Sequence, residues 1–270
     1  MRRLLFACGA VLLLCRPAVA QTGQEPTLIL TLFGGASRGH RLWHIDRQPL
    51  CTLNTCNNAT PDYDTLELTR DISTGIVLGA SGTYFRSPHV GIEAELYYLT
   101  LPFGDSCRGI YYNPDSVAVD QQVCLNVDAA KLSTSAISFY GGLVFRALPG
   151  AAISLYVRAG LGVVTYSGGT TELSGPFEDV NRTVRSRAII EDPDPRTAAP
   201  SFKAAIGFTT RIGSGYQFRL EVQDAIVTLD RVVGSANRLA AAPTASHSYH
   251  RLLLTMGLDV VLEKKRGRRY

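Results

Sequence analysis

Residues 75–98, GIVLGASGTYFRSPHVGIEAELYY, carry the pattern that decides the fold. Before the RSPH interruption, alternate residues separate into Ile76, Leu78, Ala80, Gly82, Tyr84 and Val77, Gly79, Ser81, Thr83, Phe85. After it, Ile92, Ala94, Leu96 and Tyr98 alternate with Glu93, Glu95 and Tyr97. Successive side chains of a strand point to opposite faces. One face of the second segment therefore holds two carboxylates, and the other holds no charge. Pro88 within the interruption is a residue that turns favour. The stretch predicts a strand, a tight turn and a strand.

The same period of two recurs along the chain and predicts eight strands, at 27–37, 73–86, 90–103, 133–147, 151–166, 201–212, 215–229 and 249–262. Three connections are short and contain Pro or Gly, at 86–89, 148–150 and 213–215. Four are long, at 38–72, 104–132, 167–200 and 230–248. An even number of strands with short turns at one end and long loops at the other is the pattern of a transmembrane β-barrel.

The faces agree. One parity of each later strand is apolar, as in Ile137, Phe139, Leu143 and Phe145, in Ile153, Leu155, Val157, Leu161 and Val163, or in Leu252, Leu254, Met256, Leu258, Val260 and Leu262. The other parity holds Glu93, Glu95, Arg146, Arg158, Lys203, Arg211, Arg219, Glu221 and Asp259, with tyrosines and glycines among them. A soluble carrier barrel would carry charge outside and apolar residues within. An apolar face this continuous is unsuited to water, and a lipid-facing Arg or Lys at the midplane costs about 2–4 kcal/mol. The charged parity is thus expected to line the interior, which in an eight-stranded barrel side chains just fill. Glu93 is expected near Arg146, and Glu95 near Arg158. Asp224 alone falls on the lipid parity of its strand, where a bulge or the strand's exit from the membrane is expected. Tyr84, Phe145 and Phe218 near the short turns, and Tyr98, Phe139 and Phe202 nearer the long loops, suit two interfacial aromatic girdles.

Residues 1–20, MRRLLFACGAVLLLCRPAVA, read as an export signal, with two arginines, an apolar stretch and a small-x-small end. Their removal takes away three arginines and no acid, lowering the net charge from +4 to +1. A general attraction to nucleic acid is excluded on that charge. Residues 21–262 are expected to form the barrel with its loops, and 263–270 a basic periplasmic tail. Four cysteines lie beyond the signal, and export favours disulfides. Three pairings are possible. The local one, Cys51–Cys56 and Cys107–Cys124, is expected. Neither pair has His or Cys partners at zinc-ligand spacing, and neither a metal nor another cofactor is expected.

With GIVLGASGTYF, VGIEAELYY, FRLEVQD and the alternating last strand in view, residues 27–262 resemble the eight-stranded outer-membrane protein family of Gram-negative bacteria, porin-like barrels similar to the outer-membrane protein A transmembrane domain. The resemblance implies an all-β, closed, antiparallel up-and-down barrel with short periplasmic turns and four long extracellular loops. It implies outer-membrane lipid and lipopolysaccharide as surroundings, and the barrel assembly machinery as a partner in biogenesis. The family's last strand usually ends in an aromatic; here the alternation ends at Leu262, followed by EKKRGRRY. Such barrels host structural, adhesive, pore-forming and lipid-modifying members, so fold does not choose the function. The expected role is a non-enzymatic surface protein meeting an external partner through its loops. A lipid-modifying enzyme needs a base, a nucleophile and an orienting acid at the outer rim. ASHSYHR, residues 245–251, offers His247, Ser248 and His250, but strand neighbours face opposite ways and His250 lies on the lipid parity. A narrow pore is the other alternative.

Overall fold

The computed structural model describes residues 27–51, 63–112, 118–127, 133–149, 151–178, 181–192, 195–235 and 242–263. Twelve strands and one helix are found among them: β1 (Thr27–Ser37), β2 (His40–Cys51), β3 (Tyr63–Ile72), β4 (Gly75–Phe85), β5 (Val90–Tyr111), α1 (Ala118–Leu125), β6 (Ser133–Arg146), β7 (Ile153–Tyr166), β8 (Leu173–Glu178), β9 (Val184–Ile190), β10 (Ala198–Gly213), β11 (Tyr216–Val232) and β12 (Thr244–Glu263).

Eight strands close a ring in the order β1, β4, β5, β6, β7, β10, β11, β12, each antiparallel to its neighbours. Thr27 pairs with Glu263 to complete it. These are the eight strands read from the period of two. Closure leaves the ring no unpaired edge, the condition for a sheet in lipid. The turns between β4 and β5, β6 and β7, and β10 and β11 are short. In the last, Gly215 takes φ 82°, a left-handed conformation that glycine adopts without steric cost.

Every residue of the uncharged parity quoted above faces outward: Leu32 is 71% exposed and Leu161 70%. Within the opening stretch, Ile92, Leu96 and Tyr98 lie outside, while Glu93, Glu95 and Tyr97 are buried in the lumen. The lumen is layered. Near the short turns Ile29, Phe85, Val144 and Tyr156 form a small apolar floor. Charged side chains lie above it, then the stacked phenols of Tyr97 and Tyr140, 5.7 Å apart. Above these, Leu99, Val164, Ala225, Val227 and Leu253 begin a larger apolar core. Two of the inward glycines make room for the aromatics. Gly162 faces Tyr140, and Gly207 faces Tyr156, in neighbouring strands. A Cβ at either would stand 2.6 Å or less from that ring or its hydroxyl.

The long connections depart from the expectation of irregular loops. A membrane-crossing strand needs about 9–11 residues, yet β5 has 22 and β12 has 20. The excess rises above the ring. There β2 and β3 form a hairpin, and β3 pairs with the upper part of β5. The connection between β5 and β6 contains α1, and that between β7 and β10 contains the β8–β9 hairpin. Leu66, Leu68, Val123, Leu173 and Ile190 are fully buried here and belong to the same apolar core that begins in the upper lumen. The four outer connections therefore make a folded cap continuous with the barrel.

Candidate functional site

Three groups of side chains could carry function: the ionic layer of the lumen, the cap, and an ion pair on the outer rim. In the first, Arg158 on β7 donates through Nη1 to both Glu93 and Glu95 of β5, and through Nη2 to Glu221 of β11. Lys203 on β10 lies 2.7 Å from Glu95 and 3.2 Å from Glu93. Tyr156 donates to the second oxygen of Glu221 at 2.8 Å. Arg219 pairs with Asp259 at 3.0 Å, and Thr31 donates to the same carboxylate at 2.8 Å. All of these groups are buried. A buried charge is tolerable only when paired and hydrogen-bonded, and this layer meets that condition while filling the lumen.

Two residues differ from expectation. Arg146 reaches neither glutamate and lies 4.3 Å over the Phe85 ring, near the short turns. The register explains it. Glu93 faces Gly142, and Gly142 faces Gly160. Arg158 thus stands near the level of Glu93, across two positions that put no side chain into the lumen, and holds both glutamates. Arg211, at the end of β10, is exposed at the rim rather than in the layer. Glu93, Glu95, Arg158, Lys203 and Glu221 come together; Arg219 and Asp259 form a separate pair beside them.

In the cap, Arg70 of β3 is the organising residue. Its guanidinium makes a bidentate pair with Asp105 of β5 at 2.6 and 2.8 Å, and donates at 2.9 Å to the carbonyl of Thr170 between β7 and β8. It lies 4.5 Å over Phe103 and 5.4 Å over Trp43, where burial strengthens the attraction between a cation and an aromatic face. Thr170 also donates to the carbonyl of Asp230 at 2.7 Å. Arg196 pairs with Asp230 at 3.1 Å and bonds Ser246. The Tyr249 hydroxyl donates to the Leu42 carbonyl at 2.8 Å. Side chains from all four outer connections are thus linked.

The disulfide Cys107–Cys124 fastens α1 to the upper part of β5, with Cα atoms 5.3 Å apart. The pairing Cys51–Cys56 lies outside the described residues, as do the segments 1–20 and 264–270. Beside Cys124, Asp120 pairs with Arg187 of β9. Burial pushes the Asp120 carboxyl up to about 6, against the pull of Arg187, and the neighbouring Asp64 carboxyl adds to the rise. A carboxyl raised in the folded state contributes stability that is full below its ordinary value and is lost as the pH rises through the raised one. Between about pH 4 and 6 the cap should therefore loosen. Hydrogen exchange across α1 is expected to be slower at pH 5 than at pH 7.5, and Asp120→Asn should flatten the difference. Faster exchange at pH 5 would show that the Arg187 pair dominates.

On the outer rim, His250 Nδ1 bonds Asp224 Oδ2 at 2.7 Å, both on the outward parity. This accounts for Asp224: its partner is one strand away at the same rim. Ser248 shares that face, and its hydroxyl meets Thr228 at 3.4 Å. Reading the sequence missed the Asp224–His250 pair, since each residue was an isolated exception to its own strand. It also missed Arg70, although Leu66, Leu68, Arg70 and Ile72 share one parity.

A closed ring of eight strands, apolar outside and ionic within, defines an outer-membrane β-barrel. No family model matches the chain, and no curated protein does. Among solved structures it is similar to the outer membrane protein OprG from Pseudomonas aeruginosa, at 10% identity over 88% of this chain and 96% of that one, TM-score 0.48. It is also similar to the outer membrane protein AlkL in lipid bilayers, at 12% identity over 90% and 93%, TM-score 0.42. A third is the outer membrane protease OmpT from Escherichia coli, at 9% identity over 88% and 97%, TM-score 0.41. Likeness at this level carries no function across.

Proposed function

We propose that this chain is a non-enzymatic membrane anchor whose cap is a preformed surface for structural or adhesive contact with an external partner. The observation that carries the reading is the linkage of all four outer connections into one body around Arg70 and its apolar core. A rigid surface loses little conformational freedom on binding. The paired ionic layer and the apolar layer above it argue against conduction. In this reading outer-membrane lipid and lipopolysaccharide surround the barrel, and the assembly machinery inserts it.

The test compares cells displaying the whole chain with cells displaying a variant in which residues 40–72 are replaced by a short turn. Attachment to immobilised matrix proteins and cell–cell aggregation are measured, after a heat-dependent gel shift confirms that both barrels are folded. Attachment is expected only with the cap. Equal attachment without it, or ion currents from the intact chain in planar bilayers, overturns the proposal.

One observation favours a second reading, hydrolysis of lipid esters. Asp224 orients the His250 ring at the rim, with Ser248 on the same face, an acid, a base and a hydroxyl of the kinds such chemistry uses. Release of fatty acid from outer-membrane lipid by the purified barrel, abolished in His250→Ala and Ser248→Ala, would replace the anchor reading with this one.

A further inference from the structure

Five cations are buried among the described residues, and four of them are matched. Arg70 has Asp105, Arg158 has three glutamates, Lys203 has two, and Arg219 has Asp259. The fifth is Arg251 of β12. It is 1% exposed, and its hydrogen bond is from Nη2 to the Ser37 hydroxyl at 2.7 Å. Its Nε and Nη1 have no partner among the described residues.

These two donors belong to a small chamber in the upper lumen, walled by Leu99, Ala136, Val164, Ala225, Val227 and Leu229. His40 lines the same chamber, stacked 4.8 Å from the Tyr249 ring, and both of its buried ring nitrogens lack a partner too. Arg251 can only donate, and a neutral His40 carries one N–H. No carboxylate lines the chamber. The stacked Tyr97 and Tyr140 lie between it and the glutamates, one step outward of Glu95 along β5.

We propose that Arg251 and His40 bind a small inorganic anion of the halide class, enclosed between barrel and cap. The kind of group follows from the donors: a desolvated guanidinium without a carboxylate calls for a counter-charge. The size follows from the room. The free space is about 10 Å³, close to the least that holds one water-sized particle. An acyl chain with an acid head does not fit, nor does a phosphate or sulfate. A halide imposes no coordination geometry and accepts partly apolar walls. The site joins the two parts of the molecule, because Arg251 belongs to the ring, while His40 begins the β2–β3 hairpin.

Crystals of the intact barrel soaked in sodium bromide are expected to show an anomalous peak in contact with Arg251 Nε or Nη1. In detergent, the temperature of the heat-dependent gel shift should be higher in sodium chloride than in sodium gluconate of equal ionic strength. The difference should grow with the logarithm of chloride concentration, as binding to the folded state requires. Arg251→Met should abolish both effects. Water alone beside Arg251 in the bromide-soaked wild type overturns the proposal, as does a chloride dependence that survives Arg251→Met. The wild-type bromide result decides the matter even where the variant does not fold.

Discussion

Arg158→Met is expected to be the most damaging single change within the lumen. The methionine fills similar space but leaves Glu93, Glu95 and Glu221 buried with Lys203 as the remaining cation of their cluster. Removing one partner of a buried ionic group costs about 3–5 kcal/mol, because the groups left behind stay desolvated. At the few degrees per kcal/mol typical of larger domains, the heat-dependent gel shift should move down on the order of 10 °C. Glu95→Gln should lower it by much less. The cluster holds three carboxylates against two cations, so one carboxylate can be lost while each cation keeps a partner. An unchanged transition in Arg158→Met would mean that water already solvates the layer, and would reopen the possibility of conduction.

Leu96→Arg is expected to impair insertion rather than the folded lumen. Leu96 is 52% exposed on the outer face, between Ala80 and Phe139 in the neighbouring strands. A cation at that depth costs about 2–4 kcal/mol, whereas Leu96→Ala places no charge in lipid. Refolding into short-chain lipid vesicles, read as the fraction of the heat-modifiable band, should fall sharply for the arginine variant and little for the alanine. Equal refolding of all three would place Leu96 outside the hydrocarbon.

The same physics that makes Leu96→Arg costly made the ring legible. Lipid requires each crossing strand to keep one face free of charge, so a period of two survives along all eight. Above the membrane that requirement ends. The segment YDTLELTRDI, residues 63–72, still alternates, with Leu66, Leu68, Arg70 and Ile72 inward. Its central inward residue is an arginine whose partners, Asp105 and Thr170, are 35 and 100 residues away, so locally it breaks the pattern instead of completing it. The strands β5 and β12 were likewise read short, because their upper portions have water outside. In the lumen, parity assigned most of the inward charges, but not their partners. Those depend on the register between tilted strands and on Gly142 and Gly160, which let Arg158 reach across. Arg251 shows the limit most clearly: its place follows from alternation, but its isolation is a property of the folded lumen.

The uninterrupted course of β5 and β12, from the short-turn end into the cap, has a mechanical consequence. A pull on the cap along the barrel axis loads the ladders of these strands in shear, so many backbone hydrogen bonds resist at once. Peeling, which breaks them one pair after another, is not the geometry offered. A flexible stalk would stretch and absorb a tug; this arrangement has little slack, and passes the load straight into the bilayer. Pulled singly by the cap, the molecule should leave the membrane as a stiff body, with a short rise to a high rupture force.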